Sequence, residues 1–271
     1  MLKLSHLSFL LVVLTAIVPG LHGQGDAGSA NPDKPSATDK TSTRIIDLHL
    51  QARGGADKLE KLPMVRIEGD LVENIKEYRL NIILEAPGRI RHESTIRHMG
   101  DDYLTVSATD GPNVWRQETL PERKNPQRLS GLEKQLVELD GMLPFLFTHR
   151  AENGHVCAYR GKDTFAKREV YVLHAWLTNG LEIEVLFDAQ SFHIINYRQP
   201  YTIGGKVVQI DRAPAGLTRV GETWWEKGYV YRFRGKAFRE ISFSSIIPAG
   251  EVADDTFTEP PTYERWLKIK R

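Results

Sequence analysis

The chain has a single cysteine, Cys157, in 271 residues, which excludes an internal disulfide and every Cys-x-x-Cys metal or redox motif. A fold of this size must then be held by its core, and Cys157 reads as a small buried hydrophobe and not as a reactive thiol. Neither sign of charge predominates. Lys and Arg number 36 against 35 Asp and Glu, a net of +1, so no global electrostatic attraction to nucleic acid exists. After residue 18 no apolar run approaches the roughly 18 residues that a membrane-spanning helix needs. His-Glu-x-x-His, Gly-x-Ser-x-Gly and a glycine-rich loop between strand and helix are all missing. Gly161-Lys162-Asp163-Thr164 lacks the preceding glycines of a phosphate-binding loop, and Gly54-Gly55 follows a helix. His92, His98, His149, His155, His174 and His193 are dispersed at spacings that make no metal pair. Asp101-Asp102 and Asp254-Asp255 fall in turns, where Asp serves the backbone. The sequence therefore offers no catalytic constellation, no metal set and no cofactor motif, and we read it as non-enzymatic.

What is present begins with Met1–Gly23: Lys3, an apolar run from Leu7 to Val18, then Pro19 and small residues near a cleavage point at Gly23. This is the pattern of an export signal, and without a cysteine at the cleavage point it predicts a soluble exported protein. Residues 24–43, rich in Gly, Ser, Pro, Asp and Lys, read as a disordered spacer. Residues 44–271 read as one domain. It opens with a short helix over 43–53, for which Ser42 or Thr43 is available as N-cap, with Ile45, Ile46, Leu48 and His49 near one side. Gly54-Gly55 stops that helix, and a further turn over 56–62 ends at Pro63.

From there the pattern is β. Strands are expected at 65–73, 77–84, 89–98, 103–109 and 113–117, then around 155–160, and after a central meander at 206–212, 217–220, 222–226, 229–233 and 236–245. So many short antiparallel strands exceed what an open twisted sheet carries without curling, so a large curved sheet or barrel is expected. The meander itself comprises 170–177, 181–187 and 192–198. Asn179-Gly180 read as the two-residue type I′ turn places Trp176 opposite Ile183, His174 opposite Val185 and Val172 opposite Phe187. One apolar face then carries Val172, His174, Trp176, Ile183, Val185 and Phe187. Phe192 and Ile194 continue it, and Asn196 and Arg198 make its end polar. Arg198 is either a headgroup contact or an ordinary rim charge. His174, if buried on that face, requires a hydrogen-bond partner.

A single helical pattern interrupts the strands: Leu132, Leu136, Val137 and Leu139 at helical spacing, then the apolar run from Met142 to Phe147. This segment is expected to face the meander, with Leu143, Phe145, Leu146 and Phe147 against it. It is either a core-filling helix or a lid over an apolar cavity, for which Gly131, Gly141 and Pro144 are hinge candidates. Near the end, Phe257 in the turn 254–260 is expected to tuck back against the body. The basic tail 265–271 is either a membrane contact or a solvated terminus.

The helix ending in Ala52-Arg53-Gly54-Gly55-Ala56-Asp57-Lys58-Leu59, a strand reaching Gly69, the mid-chain helix, the strand Glu182–Asp188 and the ending Asp254-Asp255-Thr256-Phe257-Thr258-Glu259-Pro260, behind an export signal, together resemble the periplasmic lipoprotein carrier proteins of the LolA/LolB-like superfamily. The resemblance covers essentially the whole mature chain, although the family's functional arginine has no single counterpart. It implies a half-open antiparallel barrel of about eleven strands covered by helices, holding acyl chains or lipoprotein in an apolar cavity. It further implies passage between membrane-associated donor and acceptor proteins, as a monomer. The alternative is an envelope sensor or protein-binding module on the same fold with a filled core.

Overall fold

The computed structural model describes residues 34–120, 122–149, 153–203 and 206–262. The expected export signal at 1–23, the first part of the spacer and the basic tail lie outside these residues. Fifteen strands and three α-helices are present among them. Thirteen strands form one antiparallel sheet in the order β6 (Gln127–Arg128), β5 (Val114–Glu118), β4 (Asp101–Thr109), β3 (Arg89–His98), β2 (Lys76–Glu85), β1 (Met64–Glu73), β15 (Lys236–Pro248), β14 (Gly228–Phe233), β11 (Lys206–Pro214), β10 (Ile194–Ile203), β9 (Glu182–Asp188), β8 (Arg168–Trp176) and β7 (Val156–Phe165), which does not close on itself, and β12 (Leu217–Val220) pairs with β13 (Thr223–Glu226) as a separate hairpin. Two meanders, β1 (Met64–Glu73) to β6 (Gln127–Arg128) and β7 (Val156–Phe165) to β11 (Lys206–Pro214), are joined through β14 (Gly228–Phe233) and β15 (Lys236–Pro248). The curved sheet expected from the strand count, and the half-open form that the resemblance implies, are thus found.

Helix α1 (Lys40–Ala52) begins three residues before the expected start, inside the segment read as spacer. Its N-cap is Asp39, not Ser42 or Thr43: Asp39 Oδ1 accepts the Ser42 N–H at 2.9 Å and Oδ2 accepts the Tyr159 N–H at 2.7 Å. One carboxylate therefore caps the helix and ties it to β7, a role that Ser or Thr is too short to fill. Ile45, Ile46, His49 and Leu50 face inward. After α2 (Ala56–Glu60), the chain enters β1.

Helix α3 (Gly131–Met142) and the 3-10 turn Leu143–Phe145 cross the concave side. Gly141 sits at the point of closest approach, where an added Cβ would lie 2.4 Å from the Gly88 carbonyl oxygen in the turn between β2 (Lys76–Glu85) and β3 (Arg89–His98). This glycine is needed for contact with the sheet. On the convex side Phe257 is 1% exposed, and its carbonyl accepts the Trp115 Nε1–H at 2.8 Å. Arg89 stacks over the Phe257 ring, so the tuck expected of the C-terminal turn is present. Cys157 is buried and is not disulfide-bonded.

The register of the central hairpin differs from expectation by one residue. β8 (Arg168–Trp176) pairs with β9 (Glu182–Asp188) as Ala175↔Ile183, Leu173↔Val185 and Tyr171↔Phe187. The loop holds three residues, closed by Leu177 N–H to Leu181 O at 2.8 Å and Gly180 N–H to Leu177 O at 3.1 Å, and Gly180 alone of them takes a positive φ, +85°. This is the three-residue loop with a glycine in the left-handed region, not the two-residue type I′ turn. A shift of one residue reverses every side chain of the strand. Val172, His174 and Trp176 therefore lie on the convex face, opposite Leu186, Glu184 and Glu182, and Tyr171, Leu173 and Ala175 take the concave face. A bulge between Ile194 and Asn196 in β10 (Ile194–Ile203) does the same there: Ile194 stays inward opposite Phe187, whereas Asn196 and Arg198 turn outward opposite Leu186 and Glu184.

Candidate ligand-binding groove

The concave side divides into two halves of different character. In the half built by β8, β9 and β10, Leu173, Ala175, Ile183, Val185 and Phe187 are completely buried. The run after α3 covers them. The Phe147 and Phe187 rings lie 5.6 Å apart, and His49 of α1 packs edge-on to both at 5.8 and 5.3 Å. His49 Nδ1 lies 2.9 Å from the Phe192 carbonyl oxygen, and burial pushes its pKa down to about 3, so the ring is neutral and Nδ1 carries the proton. Leu143, Phe145 and Leu146 join the same core. The predicted facing of helix and meander is therefore found, and these side chains pack against each other in one buried cluster.

The remaining predicted site residues are elsewhere. His174 Nε2 meets Glu182 at 2.9 Å and the His174 ring lies 4.3 Å from Trp176. Arg198 pairs with Asp163 at 3.3 Å and Glu184 at 3.5 Å on the convex face, away from any concave polar end. Phe192 stacks on Tyr171 with ring centroids 5.9 Å apart.

The other half, built by β1, β2, β3, β15 and β14, is packed less completely. Ile67, Ile82, Leu84, Ile90, Ile241, Phe243 and Ile246 floor a cleft roofed by α3 and Pro144. The cleft measures about 570 Å³ with the space at its open mouth, but a water-sized sphere fits in only about 40 Å³ of it. That is room for a few waters, well below the roughly 300–1,000 Å³ of ligand pockets. Ile241, Phe243 and Ile246 are only half-buried, so the cleft opens along β15.

A polar row closes one end of this floor. Reading across the sheet by strand register, Glu73, Arg239, Tyr231, Arg212, Tyr197, Val185 and Leu173 are successive partners from β1 through β15, β14, β11, β10 and β9 to β8. All project to the concave side, because Arg239 shares its parity with Ile241 and Phe243, and Glu73 with Ile67 and Leu71. Arg212, 6% exposed, places its guanidinium carbon 3.8 Å from the Tyr229 ring centroid and 5.2 Å from that of Tyr231. Its Nη1 donates to Asp140 Oδ1 of α3 at 2.6 Å. Arg239 Cζ lies 5.4 Å from the Tyr231 ring centroid, and its Nε is 3.6 Å from Glu73 Oε1. Burial raises the Glu73 carboxyl above its usual range against the pull of Arg239, and pushes the Tyr231 phenol up to about 12, which keeps its proton. His92 is pushed down to about 4 by burial, against the attraction of Asp140. Arg212 Nε, Tyr231 OH and His92 Nε2 are buried without a hydrogen-bond partner.

A second buried arginine joins the covering elements. Arg53, at the C-terminus of α1, donates from Nε to the Trp224 carbonyl at 2.9 Å and from Nη1 to the Pro144 carbonyl at 3.3 Å, and lies 3.7 Å from Glu226. It thus links α1, the β12–β13 hairpin and the end of α3.

None of Asp140, Arg212, Tyr229, Tyr231 or Arg239 was singled out from the sequence. The available signal was parity: Val208, Ile210 and Arg212 alternate on one face, as do Arg239, Ile241 and Phe243. An arginine in phase with the apolar residues of a strand must be buried and paired.

Among the described residues no three His, Cys, Asp or Glu side chains form a group able to hold a metal, and no helix is long and apolar enough to cross a membrane. No protein-family model and no curated protein matches the chain. Several solved structures are similar. One is an outer membrane lipoprotein-sorting protein domain from Vibrio parahaemolyticus, 12% identical over 83% of this chain and 97% of that one, with a TM-score of 0.53. Others are a LolA superfamily protein from Nitrosomonas europaea (13% identical, 75% and 97% covered, TM-score 0.49) and a DUF1329 family protein from Desulfovibrio piger (10%, 79% and 96%, TM-score 0.45). The chain therefore has, across most of its length, the half-open antiparallel fold of the Vibrio lipoprotein-sorting domain.

Proposed function

We propose that this protein is a soluble periplasmic carrier that shields lipid acyl chains, free or attached to lipoprotein, without covalent chemistry. The observation that carries the reading is the division of the concave face. One half is completely buried and holds the fold together, and the other is a strip of aliphatic and aromatic side chains under α3, Pro144 and Trp225 that stays open along β15. Acyl chain binding belongs to this strip, and not to the face lined by Phe187 and Phe147. Because the void is about 40 Å³, entry requires α3 to lift away from β2 and β3. Burial of each methylene is worth roughly 0.8 kcal/mol, so ten of them supply roughly 8 kcal/mol before the cost of displacing the helix. Residues 1–23, with the pattern of a cleaved signal, support the periplasmic location.

The decisive experiment is lipid analysis of protein purified without detergent, followed by uptake of a fluorescent fatty acid by the delipidated sample. Co-purifying lipid and saturable uptake are expected, and a sample that shows neither is not a carrier. The small void also favours a second reading, a protein-binding module whose interior stays filled. Ile246→Trp separates the two. It fills the open edge of the cleft, so a carrier loses uptake while staying folded, whereas a filled module has no uptake to lose.

A further inference from the structure

The row of Arg239, Tyr231 and Arg212 stands at one end of the apolar strip, and its composition is not that of a structural ion-pair network. Such a network satisfies its charged groups, since a buried charge without full hydrogen bonding is costly. Here Arg212 has a single carboxylate partner and an Nε with none, Tyr231 OH has none, and Arg239 has only a 3.6 Å approach to a carboxyl whose ionisation burial disfavours. The unsatisfied groups of the two arginines are donors, the neutral Tyr231 phenol is a further donor, and all three residues line the same cavity as the apolar floor. The one close carboxylate, Asp140, comes from the covering helix and not from the sheet. Its side chain is 37% exposed, whereas that of Arg212 is 8% exposed, so the acid can leave for solvent and the cation cannot.

We propose that this end of the cleft is a headgroup site for an anionic amphiphile, in which a carboxylate or phosphate oxygen is held by Arg212, Tyr231 and Arg239, and that an entering headgroup exchanges with Asp140 at Arg212. The inference rests on the carrier reading of the apolar strip and adds to it the charge of the cargo. Geometry couples the two. The acyl chain needs the volume under α3, and the headgroup replaces the contact by which α3 holds to β11. Tyr229 and Tyr231 keep the guanidinium of Arg212 in place through both arrangements by stacking on it. Arg53 and Glu226 are already paired to each other, so they do not compete for the headgroup.

The test uses the delipidated full chain with cis-parinaric acid and its methyl ester, which share one acyl chain and differ in charge. The wild type is expected to bind the acid at least ten-fold more tightly than the ester. Arg212→Gln combined with Asp140→Asn removes the pair together, leaving neither charge alone, and is expected to bring acid affinity down to that of the ester without changing the ester. Asp140→Asn alone, which removes the competing carboxylate, is expected to tighten acid binding several-fold. Thermal melts establish that each variant is folded. Equal binding of acid and ester by the wild type overturns the headgroup site and leaves the carrier reading standing, as does a preference that survives in the double variant. Weaker acid binding by Asp140→Asn overturns the exchange. A protein that takes up neither probe loses the carrier reading and this site with it. Vesicles of phosphatidylglycerol and of phosphatidylcholine identify the source of the anion. Selective transfer of phosphatidylglycerol into the protein assigns a phosphodiester headgroup, and transfer of the free acid alone restricts the site to a carboxylate.

Discussion

Phe147, five residues beyond the end of α3, lies with its ring 5.6 Å from that of Phe187 near the end of β9, and Phe187 is completely buried there. This contact fastens the covering segment to the sheet. Phe187→Ala leaves a cavity between the Phe147 and His49 rings and is expected to destabilise the fold by roughly 3–5 kcal/mol, measured by urea denaturation. Because Phe187 belongs to the packed half, fatty-acid affinity of the fraction that remains folded is expected to be unchanged. Selective loss of uptake would move the cargo site back to this half.

Arg53 and Glu226 are both about 5% exposed and 3.7 Å apart. Replacing one member of such a pair leaves the other charged and buried, so Arg53→Met is expected to cost roughly 3–5 kcal/mol. Adding Glu226→Gln should recover part of that loss, although the Trp224 and Pro144 carbonyls remain without their donor. A double-mutant cycle by chemical denaturation measures the coupling, which is expected to be on the order of 1–3 kcal/mol.

Gly141 gives a prediction about the helix without touching any charge. A Cβ there would meet the Gly88 carbonyl at 2.4 Å, and backbone cannot rotate away as a side chain can. Gly141→Ala is therefore expected to push α3 off the turn between β2 and β3 at a cost of roughly 1–3 kcal/mol. In a carrier the same displacement opens the cleft, so uptake of a fluorescent fatty acid should become faster while the unfolding midpoint falls. Stopped-flow fluorescence and thermal melts read the two effects separately.

The strand pattern was legible because alternation over 65–73 or 229–233 needs only local information, and the turns carry glycine and proline. Faces were harder. Asn179-Gly180 is compatible with a two-residue and a three-residue loop, and the difference sent Val172, His174 and Trp176 to the convex side. The bulge at Ile195 likewise turned Arg198 outward, and nothing in Ile194-Ile195-Asn196 announces it. The N-cap moved to Asp39 because the acid also reaches Tyr159, 120 residues away, which no local pattern contains. The polar row escaped for a similar reason: Glu73, Arg239 and Arg212 meet only when β1, β15, β14 and β11 become neighbours.

The buried histidines predict the pH dependence of stability. His49 titrates at about 3 in the fold and near 6.5 in the unfolded chain, because burial disfavours its cation. Between these values the unfolded chain binds more protons, so stability is full above about pH 6.5 and falls as the pH drops toward 3. His92, at about 4 in the fold, acts in the same sense. Each contributes up to roughly 1.4 kcal/mol per pH unit, and His92 contributes less than His49 because its residue is only half-buried. Glu73, whose carboxyl is raised by burial, works in the opposite direction just above its ordinary range. Urea midpoints measured between pH 8 and pH 4.5 should therefore be level down to about 6.5 and then decline. His49→Gln cannot titrate, and its amide can still donate toward the Phe192 carbonyl, so it should flatten the decline by about one proton. An unchanged slope in that variant would mean that His49 is not the group whose protonation opens the core.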